Sequence, residues 1–208
     1  MTNQPDTSLL DQTGTQKDPR PRFFALIVGI DHYKNSVNDL KGCVTDSTNV
    51  IKFLKESFGG SALHIKHLQN EQATREQILS AFEKHLIGNN KIMLGDPILF
   101  YFAGHGSSVR APEGSHTANK MWEAICPYDY RTGSGSEQVW GIPDRTYDAL
   151  MQRLATIKGD NIVSACFSLR SCRLLIDFFF PDSDHRFMSF QRHGTSPGVW
   201  ECAVSLSS

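Results

Sequence analysis

From Phe23 onward, short apolar runs alternate with amphipathic stretches. "FFALIVGI" (23–30) is continuously apolar up to Asp31, the pattern of a strand buried on both faces of a parallel sheet. From Asp46, "DSTNVIKFLKESFGG" sets Val50, Phe53, Leu54 and Phe58 at helical spacing, and Gly59-Gly60 ends the run. "ALHIKHL" (62–68) alternates like a half-buried strand, which sends His64 and His67 to opposite faces and removes them as a metal pair. Thr74 and Gln77 form a capping box ahead of a stripe made by Ile78, Leu79, Phe82 and Leu86. "DPILFYFAGHG" (96–106) is a second fully apolar strand, broken by Gly-His-Gly. After a polar loop, "MWEAICPYD" (121–129) adds a short strand, and Pro143-Asp144 open a helix carrying Tyr147, Leu150, Met151 and Leu154. The order β-α-β-α-β-loop-α predicts a three-layer α/β/α domain with a mostly parallel sheet. Parallel strands need crossovers, and the crossovers cover both faces.

The pattern fails at the next strand. In "GDNIVSACFSLRSCRLLIDFFFPD" (159–182) only Ile162-Val163 reads as strand, and two cysteines, two arginines and three phenylalanines follow with neither strand nor helix period. Three segments result: a polar, flexible tail over 1–22, a domain over 23–162, and an aberrant segment over 163–208 that leaves the sheet incomplete at its C-terminal side.

Composition adds mainly exclusions. With 208 residues, 39% hydrophobic and 21% charged, the chain is an ordinary globular domain with room for one sizeable core. A net charge of −1 from interspersed signs points to neither nucleic acid nor a membrane surface as partner. The N-terminus lacks the layout of a signal peptide, and a cytoplasmic protein is expected. Five cysteines without CxxC spacing argue against a disulfide framework and a zinc ribbon. No GxGxxG or GxxxxGK[ST] motif is present, so no nucleotide cofactor is expected.

Reactive groups in open α/β sheets sit where strands end at their carboxyl edge. His105 falls there between two glycines that permit a sharp turn and close approach, and Asp31 ends the first strand in the same way. A histidine suits the role of general base, though a surface histidine in a tight turn is the plainer reading. Loop or helix capping competes equally for Asp31, and capping alone would account for Asp46. Cys43 fits as a small core residue.

Together, "FFALIVGIDHYKNSVNDLKGCVTDSTNVIKFL", "ILFYFAGHGS", "EAICPYD" and "IPDRTYDALMQRLA" resemble the metacaspase and caspase-like family of clan CD cysteine peptidases, especially fungal members, over roughly residues 23–162. The resemblance implies a caspase-type α/β/α sandwich, a Cys-His dyad and cleavage of polypeptides after Arg or Lys. His105 matches the catalytic histidine, with Gly106 and Asp31 bordering the same edge. Asp46, in "GCVTD", matches an acidic residue of the pocket for a basic P1 side chain, and Ala103 stands where some members carry a serine. Calcium dependence is common in metacaspases, but no ligand cluster is assignable here. No metal site is therefore expected.

The family's nucleophile motif, apolar-apolar-Asp-x-Cys-His-Ser, is missing. Cys166 comes too soon after Asn161 for a full strand to precede it and lacks the neighbouring Asp and His. Cys172 lies between Ser171 and Arg173, with Arg170 close by, and has no strand before it. Both are weak candidates. The codons explain the loss: Val163-Ser164 can encode a splice donor, Leu175-Ile176 a branch point, and the Phe run with Pro181 a pyrimidine tract and acceptor. The 19 codons from Val163 to Pro181 plus one nucleotide make 58 nucleotides. Removing them shifts the frame so that "DSDHRFMSFQRHGT" can spell Ile-Leu-Ile-Ile-Asp-Ser-Cys-His-Ser-Ser-Gly-Thr. On this reading 163–208 is a retained intron followed by an out-of-frame exon. The chain as written is then an inactive member of a peptidase family, or a binding module or decoy that engages an active caspase-like relative.

Overall fold

The computed structural model describes residues 22–35, 39–58, 62–111, 121–168 and 171–178, with side chains described as far as Cys166. The stretch expected to be a tail (1–22) lies outside the described residues except for Arg22, whose guanidinium pairs with Asp96 at 3.0 Å. Residues 179–208 of the segment expected to be aberrant also lie outside them.

Four strands run parallel: β1 (Phe23–Gly29), β2 (Leu63–Gln69), β3 (Ile98–Gly104) and β7 (Ile162–Ser168). With β8 (Ser171–Phe178), antiparallel to β7, they form one sheet in the order β2-β1-β3-β7-β8. The apolar runs of β1 and β3 are buried on both faces, and their alternation separates two cores. Phe24, Leu26 and Val28 with Ile98, Phe100 and Phe102 meet one face, and Ala25 and Ile27 with Leu99, Tyr101 and Ala103 meet the other. α1 (Cys43–Phe58) covers the second face through Leu54, Val50 and Ile51. α2 (Arg75–Ala81), continued by a π-helical turn over Phe82–Ile87, and α3 (Asp144–Lys158) cover the first through Ile78, Phe82, Leu86, Met151 and Leu154. The result is the expected α/β/α sandwich. The Thr74 hydroxyl caps α2 by accepting from Gln77 N at 3.2 Å.

Three expectations are corrected. α1 begins at Cys43, three residues before Asp46, and its inward stripe is Cys43, Ser47, Val50, Ile51 and Leu54, so Phe53 is 64% exposed. Part of the predicted polar loop after His105 pairs instead: β4 (Gly106–Arg110) joins the expected short strand, β5 (Met121–Ile125), and with β6 (Ile142–Pro143) they build a small antiparallel sheet. The strand thought to stop at Val163 runs to Ser168, in parallel register with β3 from Ile98↔Ile162 to Gly104↔Ser168. β3 offers a full ladder of backbone partners, and small residues fit the slot. Ser164 is buried there and receives a hydrogen bond from the hydroxyl of Tyr147, whose ring packs on Phe82 and Phe100. Tertiary pairing thus overrides weak local propensity.

Candidate active site

The connection leaving β1 passes through α1 to β2 on one side, whereas β3 leads by way of α3 to β7 on the other. Adjacent strands whose connections diverge leave a crevice beyond their carboxyl ends, the usual ligand position in such sheets. Asp31 to Tyr33 enter this crevice from β1 and His105 enters from β3. Ile30 N donates to Ala103 O at 2.9 Å, which closes the two strands just beneath it.

His105 is fixed through its main chain. Its N–H donates to the Tyr33 hydroxyl at 2.7 Å, and its carbonyl accepts from Cys126 N at 2.9 Å. The imidazole lies 5.1 Å from the Tyr33 ring, tilted by 44°. Gly104 is required by this packing: a Cβ there would come within 2.9 Å of the Tyr33 hydroxyl and 2.8 Å of the Phe102 ring. Gly106, partly exposed, pairs with Ile125 as the first residue of β4.

Asp31 caps α1 from outside the helix. Its Oδ1 accepts from Cys43 N at 2.8 Å and its Oδ2 from Val44 N at 3.2 Å, which satisfies two amide groups that a helix start leaves without intrahelical partners. Asp46 is therefore not the cap. It sits in the first turn, its own N–H donating to Gly42 O at 2.7 Å, and its carboxyl is raised above the ordinary range by burial and then by the charge of Asp31. The same two acids, after burial, push the Cys43 thiol up to about 12. Cys43 stays protonated at neutral pH and packs as a core residue beside Val50 and Ile51. His64 and His67 diverge as expected: His64 stacks on Phe24, and His67 Nε2 meets the Ser47 hydroxyl at 3.0 Å on the α1 side.

The two candidate nucleophiles are both displaced from His105. Cys166 is in register with Phe102 and packs against the core under α2 and α3. Because Cys166 pairs with Phe102, it falls three residues short of the station level with His105, roughly 10 Å at a strand's rise. The expectation that no strand precedes Cys172 is corrected, since it is the second residue of β8 and follows β7. Ser171 pairs with Ser168, which puts the start of β8 near the carboxyl edge but two strands from β3, again roughly 10 Å in backbone spacing. Among the described residues, no three His, Cys, Asp or Glu side chains gather as metal ligands. No described helix is long and apolar enough to cross a membrane. A groove of about 770 Å³ between α2 and residues 138–140 is lined by Leu79, Val139 and Trp140 among others and includes neither His105 nor Asp46.

The residues that sequence reasoning missed form the support of this crevice. Tyr33 gives no motif signal beyond its place two residues after Asp31. Asn70, at φ 42°, uses its Oδ1 to accept from Asp31 N (2.9 Å) and His32 N (3.1 Å); asparagine tolerates this left-handed backbone. Asp39 accepts from Tyr33 N at 3.0 Å and pairs with His32 at 3.0 Å.

A three-layer sandwich with a glycine-flanked histidine at its switch point defines the class, and the comparisons name it. The family model for the metacaspase, peptidase C14 domain matches residues 24–174. The chain belongs to this family of caspase-like cysteine peptidases. Metacaspase-1 of Meyerozyma guilliermondii is 30% identical over 135 residues, covering 62% of this chain and 30% of that protein. Metacaspase-1 of Arabidopsis thaliana is 28% identical over 207 residues, covering 93% of this chain and 53% of that protein. A crystal structure of a Geobacter sulfurreducens protein superposes with a TM-score of 0.51 at 19% identity, over 71% of this chain and 50% of that one. The chain thus spans about half or less of the length of these relatives.

Proposed function

We propose that this chain is a metacaspase-type domain that retains the general base, His105, and an acidic recognition residue for Arg or Lys, Asp46, without the thiol that would make it a peptidase. It binds polypeptide segments bearing a basic side chain and does not cleave them. The observation that carries this reading is the register of β7. A thiol attacks a carbonyl only when it sits within hydrogen-bond reach of its base. Cys166 lies about three residues below that station, and Cys172 is near the start of a strand two places away. Removing one member of a catalytic unit abolishes most of its rate. A partly buried acid beside the crevice still attracts a cation, because the carboxylate gains a partner there for its incompletely solvated charge.

The test pairs binding with turnover. A labelled Arg-containing peptide should bind, and Asp46→Asn should weaken binding by about tenfold or more, the scale of losing one partner of a charge pair. Neither that peptide nor a Lys counterpart should be hydrolysed, with or without calcium. Cleavage that His105→Ala removes would overturn the reading.

A further inference from the structure

The geometry points to Tyr33 as the positioning residue of His105: its hydroxyl anchors the histidine's backbone while its ring sets the plane of the imidazole. This inference rests on the reading of His105 as the site's base. Three observations meet at this side chain. The His105 N–H donates to the Tyr33 hydroxyl at 2.7 Å, the two rings lie 5.1 Å apart, and Gly104 leaves open the space that the hydroxyl fills. A histidine just past a strand end has no ladder partner for its N–H, and the Tyr33 hydroxyl takes that place while Cys126 N holds the carbonyl.

Tyr33 can do this because it is itself held. It is 7% exposed, its backbone N–H donates to Asp39, and Asn70 clamps the two residues before it. Lys34 N donates to Tyr128 O at 2.9 Å, and Tyr128 N to Ala73 O at 2.9 Å, which fastens the same loop to the segment after β5. Burial raises the phenol well above its ordinary range, so the hydroxyl stays neutral at neutral pH and remains an acceptor for the His105 N–H. The β1–α1 loop therefore reaches the base on β3 through the Tyr33 side chain.

NMR on the whole chain tests the assignment through the His105 ring Cε1–H and backbone amide. In the unaltered protein the ring should be nearly as ordered as rigid backbone, with an order parameter near ~0.85, and Tyr33→Leu should drop it below ~0.6. Tyr33→Phe keeps the ring and removes the acceptor, so imidazole order should largely survive while His105 amide exchange quickens by about tenfold or more. Wild-type order for the His105 ring in a folded Tyr33→Leu protein would overturn the proposal. If that variant does not fold, unchanged amide exchange in Tyr33→Phe overturns it instead. Peptidase activity of the unaltered chain, measured in parallel, reports separately on the missing thiol, so the two readings fail by different observations.

Discussion

Replacing Asp31 by alanine removes the cap of α1 and one of the two acids at the crevice. Cys43 N and Val44 N both lose their acceptor. Loss of a helix cap costs about 0.5–2 kcal/mol, and loss of a negative charge at a helix N-terminus a further ~0.3–1 kcal/mol. Relief of the repulsion that Asp31 exerts on Asp46 offsets a small part, leaving about 2 kcal/mol. For a domain of this size that is a fall in Tm of about 4–8 °C. Asp31→Asn keeps one acceptor oxygen and loses the charge, so it should show about half the effect. Asp46 supplies a second readout. Its carboxyl is raised in the folded state, so its contribution to stability is present in acid and is lost as pH rises through its folded value. Without Asp31 that loss should be shallower, with burial as the remaining cause. Thermal and urea unfolding of the three proteins between pH 4 and 7.5 would measure both effects. A Tm for Asp31→Ala within about 1 °C of the unaltered chain, or Asp31→Asn as damaging as Asp31→Ala, would refute the capping argument.

Other consequences are checked by similar means. Tyr147→Phe and Ser164→Ala should each destabilise by about 1 kcal/mol and couple non-additively in the double variant; strict additivity would mean that β7 is not seated against α3. Phe100→Ala should cost about 3–5 kcal/mol, whereas the exposed Phe53→Ser should stay within ~0.5 kcal/mol, both by urea unfolding. His32 is raised chiefly by its hydrogen bond to Asp39, and Asp39 is lowered by the same bond. The His32 term is lost as pH rises through its folded value and the Asp39 term as pH falls through its own, so the pair helps between the carboxylate and imidazole ranges. In Asp39→Asn, the NMR titration midpoint of His32 should fall toward the ordinary imidazole value. Transcripts sequenced across the codons for Asp160 to Gly194 should lack 58 nucleotides in most copies if 163–208 is retained intron; a uniformly retained segment would refute that origin.

The sandwich was legible because β1 and β3 are unbroken apolar runs, and such runs have few alternatives to a sheet covered on both faces. His105 was legible from two glycines at a strand end, of which Gly104 admits the Tyr33 hydroxyl. The start of α1 was not, because its cap, Asp31, is twelve residues away from Cys43 and local capping rules look only at neighbours. Phe53 was misplaced because apolar character at helical spacing does not say which of two adjacent stripes faces the sheet. β7 was cut short because "SACFS" has modest strand propensity and its pairing with β3 is nonlocal. Tyr33 was invisible for the same reason, since its partner is 72 residues distant.

The most direct test of the missing thiol is active-site labelling. The purified chain would be treated with an arginyl acyloxymethyl ketone, which alkylates a thiolate activated beside a bound basic residue, and then analysed by intact mass and peptide mapping. No adduct should depend on His105, and background labelling should be the same in the unaltered chain and in His105→Ala. A stoichiometric adduct on Cys166 or Cys172 that His105→Ala abolishes would contradict it and make this chain a working cysteine peptidase.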